Sequence, residues 1–410
     1  MRFKSVVLFL LWLGVLTLSG CAPMLKPGPT RFDPGLAVVA DDLDSESLRA
    51  AIRQSKAYLT RLPPETIVGV EPRLLAAGEV LDALTVFELL LDDWFCAPCV
   101  ARALEERFEF LPSSADEALA EVLFTGYYQP VMDGSLIQSD EYRYPLYARP
   151  PDLLTAEQVA VAPSPSVKKV FGRADGEEFL PYYTRREIDE VGALEGRGLE
   201  IAWVKDPVDV FFLHIQGSGI VRLAEGGQLS VGYAGQNGRP YRSIGRLLID
   251  QGKIDPEDMS MQRLRRYLAE NFQEQNEIFS YNESYVFFRV LKEGPLGSLE
   301  VPVTPGRTIA TDSRLFPKGA LAVIQTEIPI IDGAGQLAGW RPITRFVLNQ
   351  DTGGAIRGYR RADLYFGSGD EAGGMAGYMN RPGGMFFLVL KDGGERMKEF
   401  EKGERMRDGG

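Results

Sequence analysis

From Phe124 almost to its end, this chain alternates short runs of β-branched and aromatic residues with turns rich in Gly, Pro, Asn and Asp. The runs at 208–215, 285–291, 321–331 and 386–390 have the length and composition of strands. Such spacing predicts barrels or sandwiches and argues against a doubly wound α/β sheet. Upstream the period changes. Asp44 or Ser45 opens a stretch with Leu48, Ile52, Leu59 and Leu62 on one face, stopped by Pro63 and Pro64, which predicts a helix. A second helix is expected over 73–93, with Leu74, Leu81, Leu84 and Leu91 on or near one side, and a short third over 115–122. The expected class is mainly β with N-terminal helices, and 410 residues suggest two or three domains.

Charge and histidine content narrow the chemistry. Lys plus Arg number 45 against 57 Asp plus Glu, a net charge of −12, so the surface is a poor match for the phosphates of nucleic acid. His214 is the only histidine, which excludes His-rich metal sites and the HExxH motif. It sits in the dense apolar run 211–215, where a hydrogen-bonded structural histidine is the expectation. Proton transfer in this chain would fall to carboxylates or hydroxyls. Gly217-Ser218-Gly219 lacks the third glycine of a dinucleotide site and reads as a turn. No P-loop, metal-ligand set or nucleotide fingerprint stands out, so no cofactor is implied.

The first 20 residues read as a signal peptide: Arg2 and Lys4 supply a positive start, and a short apolar run over 6–16 follows. The ending Leu18-Ser19-Gly20-Cys21 resembles the lipobox of bacterial lipoproteins, in which the cysteine is lipidated and becomes the first residue. Ala22, where an Asp would favour inner-membrane retention, resembles lipoproteins sorted to the outer membrane and facing the periplasm. Residues 21–39, rich in Pro and Gly, are then a lipid-anchored linker, and the charged stretch 393–410 is expected to be disordered. Cys96 and Cys99, in Trp94-Phe95-Cys96-Ala97-Pro98-Cys99, mimic a redox motif, but the preceding segment looks helical where such a motif should follow a strand. A local disulfide or a pair of incidental thiols is the expected reading.

Several segments are dense in residues that bind sugars or handle protons: 124–130, 205–219, 232–241 and 350–367. Asp363 lies among Leu364, Tyr365 and Phe366, apolar surroundings of a kind in which a carboxyl can serve as a proton donor. Asp351 precedes a glycine pair, where it could organise a turn or reach a neighbouring carboxyl. Composition alone names no catalyst.

Six stretches, 124–128, 206–219, 232–243, 282–289, 295–304 and 350–367, resemble in order the lytic murein transglycosylase A family, bacterial lipoproteins that cut the glycan strands of peptidoglycan. The resemblance implies a double-psi β-barrel domain, taken here as 40–130 and 298–392, plus a second, inserted β-barrel domain over 131–297, separated by a substrate groove. It implies cleavage of the β-1,4 bond between N-acetylmuramic acid and N-acetylglucosamine without water, leaving 1,6-anhydromuropeptides. Asp363 matches the catalytic acid and base. Asp312, Asp351 and Asp363 match the three positions of a three-aspartate domain, with Asp312 expected to be structural. Thr125 matches a groove threonine that could contact substrate or orient Asp363, and Tyr127, Gln216, Gly217 and Ser218 are further substrate-binding candidates. A hydrolase on the same barrel and a non-enzymatic peptidoglycan-binding lipoprotein are the alternatives. The helical region with Cys96 and Cys99 lies outside the matching stretches.

Overall fold

A computed structural model describes residues 41–391, except 115, 117–119, 161–165, 293 and 355. The proposed leader, linker and tail lie outside the described residues. The first helix, Ser45–Leu59, starts where Asp44 accepts a hydrogen bond from the Ser47 N–H at 2.7 Å. Its buried face is Leu48, Ala51, Ile52, Ser55 and Leu59. The second runs Ala77–Leu90, shorter than the 73–93 expected, because Glu79 reaches back to the Ala76 N–H and caps it there. A third, Ala97–Arg107, begins at Cys96, which forms a disulfide with Cys99. The cysteine pair is thus a local bridge on a helix start. The short helix expected over 115–122 falls partly outside the described residues, and Val122 opens a strand instead.

Six strands close into a ring. In order they are Leu321–Ile331, Leu337–Asp351, Thr308–Ala310, Arg361–Ser368, Val122–Gln129 and Asn380–Leu390, and the last pairs back with the first. Two of the pairings are parallel, Thr308–Ala310 with Leu337–Asp351 and Arg361–Ser368 with Val122–Gln129. Closure removes free edges, and the N-terminal helices cover the barrel: Leu48, Ile52, Leu84, Phe87 and Leu104 share a core with Phe346, Leu364 and Phe387. Polar ties fix that layer. Arg307, with no exposed side-chain surface, donates to Asp41 at 2.6 Å and to the carbonyls of Phe346 and Asp44.

The chain leaves this barrel at Gln129 and builds a second six-stranded sheet before returning at Thr308. Its order is Val286–Leu291, Gln228–Gln236, Ser218–Leu223, Val131–Ser135, Glu200–Val204 and Tyr144–Tyr147. A bridge between Ala148 and Phe288 joins the outer strands, so this sheet closes as well. The molecule is mainly β, with a second barrel inserted in the first.

One expected strand is a helix. Residues 208–215 belong to the helix Pro207–Gln216, whose run of Val and Phe reads equally as a buried strand. Its ends decide the matter. Asp206 accepts from the Val208 N–H at 2.8 Å, Pro207 occupies the first turn, and Gly217 takes a left-handed φ of 79° that stops it. The helix is buried on two sides because two cores share it. Val208, Phe211 and Phe212 pack with Ile244, Leu248 and Leu268, while Val210 and Leu213 pack into the second barrel. Gly217-Ser218-Gly219 is the turn out of this helix into the next strand.

Candidate active site

Thr125 and Asp363 lie directly opposite each other on parallel strands of the first barrel. Residues paired across strands point to the same face, and the Thr125 hydroxyl donates a short hydrogen bond to Asp363 Oδ1. Arg361, two residues earlier on the Asp363 strand, shares that face. Its Nε lies 3.4 Å from Asp363 Oδ1 and its terminal nitrogen 3.4 Å from Thr125 Oγ1.

Asp351 occupies the end of another strand of the same barrel. Ala310 pairs with Asp363 on one side and with Asp351 on the other. The two acids therefore lie on the strands either side of Ala310, across a register shift on the Asp351 side, with Cα atoms about 10 Å apart from two strand spacings. Asp351 Oδ1 accepts from the backbone N–H groups of Ser298 at 2.9 Å and Thr352 at 2.8 Å. Burial still dominates and pushes its pKa up to about 6.

Tyr127 lies near both acids. Its hydroxyl is buried, and burial first, then the charges of Asp351 and Asp363, raise its pKa well above the usual value. No acceptor among the described residues meets that hydroxyl with good hydrogen-bond geometry, and its ring packs on Tyr365 with centroids 5.1 Å apart.

Asp312 is different. Burial would raise its pKa, but Arg314 and the Gly358 N–H hold it at about 2. Its oxygens accept from Arg314 at 2.5 and 2.9 Å and from Gly358 at 2.9 Å, which ties the turn after Ala310 to the loop before Arg361.

From the second barrel, Gln216 Oε1 accepts from the Tyr128 N–H at 3.1 Å and so joins the helix Pro207–Gln216 to the Thr125 strand. Gly217 ends that helix, and Ser218 begins a strand opposite Gly232. None of the described contacts brings Gly217 or Ser218 to Asp363. His214 is buried, with Nδ1 3.0 Å from Arg185. An arginine only donates, so Nδ1 accepts and the ring is neutral. Burial and then the Arg185 charge push its pKa well below the usual value.

Sequence reasoning missed Arg361 and Tyr241 as individuals. Strand alternation from Asp363 signals the first. Tyr241 ends the sugar-binding type of segment at 232–241, but only the fold brings it near Asp363: its hydroxyl is raised by burial, pulled back by Arg361 and raised again by Asp363. Among the described residues no group of three His, Cys, Asp or Glu side chains could hold a metal ion.

Comparison with known proteins agrees with this architecture. The MltA specific insert domain matches residues 123–289 and the 3D domain matches 307–389. Membrane-bound lytic murein transglycosylase A of Escherichia coli (strain K12) is 34% identical over 275 residues, 66% of this chain and 67% of its own length. This chain belongs to the lytic murein transglycosylase A family. The family's protein from Vibrio cholerae is 31% identical over 274 residues, 66% of each chain. A crystal structure of the membrane-bound lytic murein transglycosylase from Agrobacterium tumefaciens matches with a TM-score of 0.70 at 30% identity, over 86% of this chain and 95% of that one. The structure of E. coli MltA with bound chitohexaose matches with a TM-score of 0.63 at 26% identity, over 83% of this chain and 90% of that one. Among the described residues of this family member, no helix is long and apolar enough to cross a membrane.

Proposed function

We propose that this chain is a lytic transglycosylase that cleaves the β-1,4 bond between N-acetylmuramic acid and N-acetylglucosamine in peptidoglycan. The observation that carries the reading is the Thr125–Asp363 pair, fixed in register on two barrel strands with Arg361 beside it. Thr125 occupies Oδ1, which leaves Oδ2 of Asp363 for substrate. Asp363 gives its proton to the glycosidic oxygen as the C1–O bond breaks and an oxocarbenium-like centre develops. The muramic C6 hydroxyl forms the new bond to C1, and the Asp363 carboxylate takes the hydroxyl proton. The product is a 1,6-anhydro sugar, and no water is consumed. An attacking group already on the substrate has a high effective concentration, so one carboxyl serves both steps.

Asp351, as a carboxylate, supplies negative charge against the developing oxocarbenium, and Tyr127 couples it to Asp363. Its Oδ1 already accepts two backbone N–H bonds. Asp312 holds the loops that carry the site. Gln216, Gly217 and Ser218 form the second barrel's border of the substrate groove. The domain limits proposed are 40–130 with 298–392 and 131–297, and the division of the strands between two sheets supports them.

Lipidation at Cys21, with 21–39 as a linker, would tether this machinery to the periplasmic face of the outer membrane. The test of the reaction is mass spectrometry of muropeptides released from purified sacculi by the chain lacking residues 1–21, beside Asp363→Asn. Products lighter by one water than their hydrated counterparts, absent with Asp363→Asn, are expected. Hydrated reducing ends would establish hydrolysis instead, and binding without release would establish a tethered binding protein.

A further inference from the structure

The stretch 295–304 is the part of the chain that returns from the second barrel to the first, and it touches the site. Leu296 bridges Pro302. Gly297 N–H donates to the Val301 carbonyl and Glu300 N–H donates to the Gly297 carbonyl, both at 2.9 Å. The result is a tight turn over 297–300 with Ser298 and Leu299 at its centre. Glu300 has a φ of 56°, the one positive φ of a non-glycine residue among the described residues. A side chain with a Cβ is disfavoured there, and glycine is the usual occupant. Backbone strain held at a site invites a functional account.

Three contacts supply it. The Glu300 carboxylate is ion-paired with Arg289 on the last strand of the second barrel. Arg61, from the end of the helical layer, donates to the Leu299 carbonyl at 2.7 Å. Gly297 lies so close to the Asp351 strand that a Cβ would sit 2.5 Å from the Gln350 carbonyl oxygen. Clamped on these sides, the turn presents the Ser298 N–H to Asp351 at 2.9 Å.

We propose that the 297–300 turn is a positioning element of the active site, in which the Ser298 N–H holds Asp351 in its charged form and orientation while Glu300, through Arg289, ties the turn to the second barrel. The proposal rests on the reading of Asp363 and Asp351 as the working carboxyls. The groups facing Asp351 are the Ser298 N–H and hydroxyl from the turn, the Thr352 N–H from its own chain, Tyr127 from the Thr125 strand, and Tyr365 from the Asp363 strand, with Asp363 beyond Tyr127.

The experiment measures kcat and KM for anhydromuropeptide release across the acid limb of the pH profile, using the chain lacking residues 1–21. Ser298→Pro suits the second position of such a turn and removes the N–H donor. Ser298→Ala keeps that donor and controls for the hydroxyl. Glu300→Gly deletes the tie to Arg289 while relaxing the backbone, so added strain cannot explain its phenotype. In Ser298→Pro the acid limb of kcat should move up by about one pH unit, the worth of one hydrogen bond to a charged group. Glu300→Gly should move it the same way by less, with KM unchanged in both, and Ser298→Ala, which keeps the N–H but loses the hydroxyl, should move it less than Ser298→Pro. A parental profile in Ser298→Pro, with Asp363→Asn inactive, overturns the positioning role alone. An active Asp363→Asn overturns the underlying reading and the turn's role with it.

Discussion

Replacing Asp351 with Asn should make the protein more stable at neutral pH while slowing its reaction. Asp351 is taken from an ordinary value of 3.8 to about 6, chiefly by burial. A carboxyl with a folded-state pKa above its unfolded one binds its proton more tightly when folded, so its ionisation opposes folding. Stability is therefore lost as pH rises from about 4 to about 6 and does not change further above that window. A rise of about two units corresponds to up to about 3 kcal/mol at pH 7.5. The substituted amide would keep the shape and an oxygen for the Ser298 and Thr352 N–H groups, without the buried charge. Urea unfolding of parent and Asp351→Asn at pH 4 and pH 7.5 measures the difference directly. The variant should gain up to about 3 kcal/mol at pH 7.5 and almost nothing at pH 4, and its transglycosylation should fall because the counter-charge is gone. A variant equally stable or weaker at pH 7.5, or a gain that does not depend on pH, would refute the argument that Asp351 is a carboxylate held buried against its own desolvation.

Two further substitutions test the framework around it. Thr125→Val keeps the shape but removes the donor to Asp363 Oδ1, and kcat should drop about 10- to 100-fold, as for loss of one hydrogen bond to a charged group, with Thr125→Ser restoring most of it; steady-state kinetics on sacculi decides. Arg307→Met leaves Asp41 buried without its guanidinium, and urea unfolding should show a loss of about 3–5 kcal/mol, a loss under about 1 kcal/mol meaning that the pair is dispensable.

The sequence displayed these features unequally. The first helix was legible because its stripe, its Asp44 cap and its Pro63-Pro64 stop agree. The strand Leu321–Ile331 was legible because a long β-branched run between turns has few other folds. The helix Pro207–Gln216 was not, since a segment buried on two sides loses the alternation that separates helix from strand. Resemblance pointed to Thr125 as a groove threonine that could orient Asp363, but the hydrogen bond itself joins residues 238 positions apart and depends on a parallel register that no local pattern encodes. Arg361 could have been read from its two-residue offset to Asp363. Tyr241 and the Ser298 N–H could not: one comes from the second barrel, and the other is a backbone group that every residue except proline shares.

The lone histidine completes the chemical argument. Histidine is the side chain best suited to proton transfer near neutral pH, and His214 is the only one in the chain. Its Nδ1 accepts from Arg185, which also donates to the carbonyls of Asn282 and Ser284 and pairs with Asp189, and its ring lies against Tyr285 and Phe288. Protonating Nδ1 would set two donors against each other beside a buried guanidinium, so the ring stays neutral across the working range. His214 therefore acts as an acceptor that seats Arg185 inside the second barrel, and none of its described contacts reaches the Asp363 face. With His214 committed there and Asp312 fixed by Arg314 and Gly358, Asp363 and Asp351, on the two strands that pair with the Ala310 strand, are the remaining carboxyls of the three-aspartate set. Of these two, Asp363 is contacted at Oδ1 by Thr125 and Arg361 and is the proposed proton donor and acceptor, while Asp351 is held at Oδ1 by the Ser298 and Thr352 N–H groups and supplies the counter-charge.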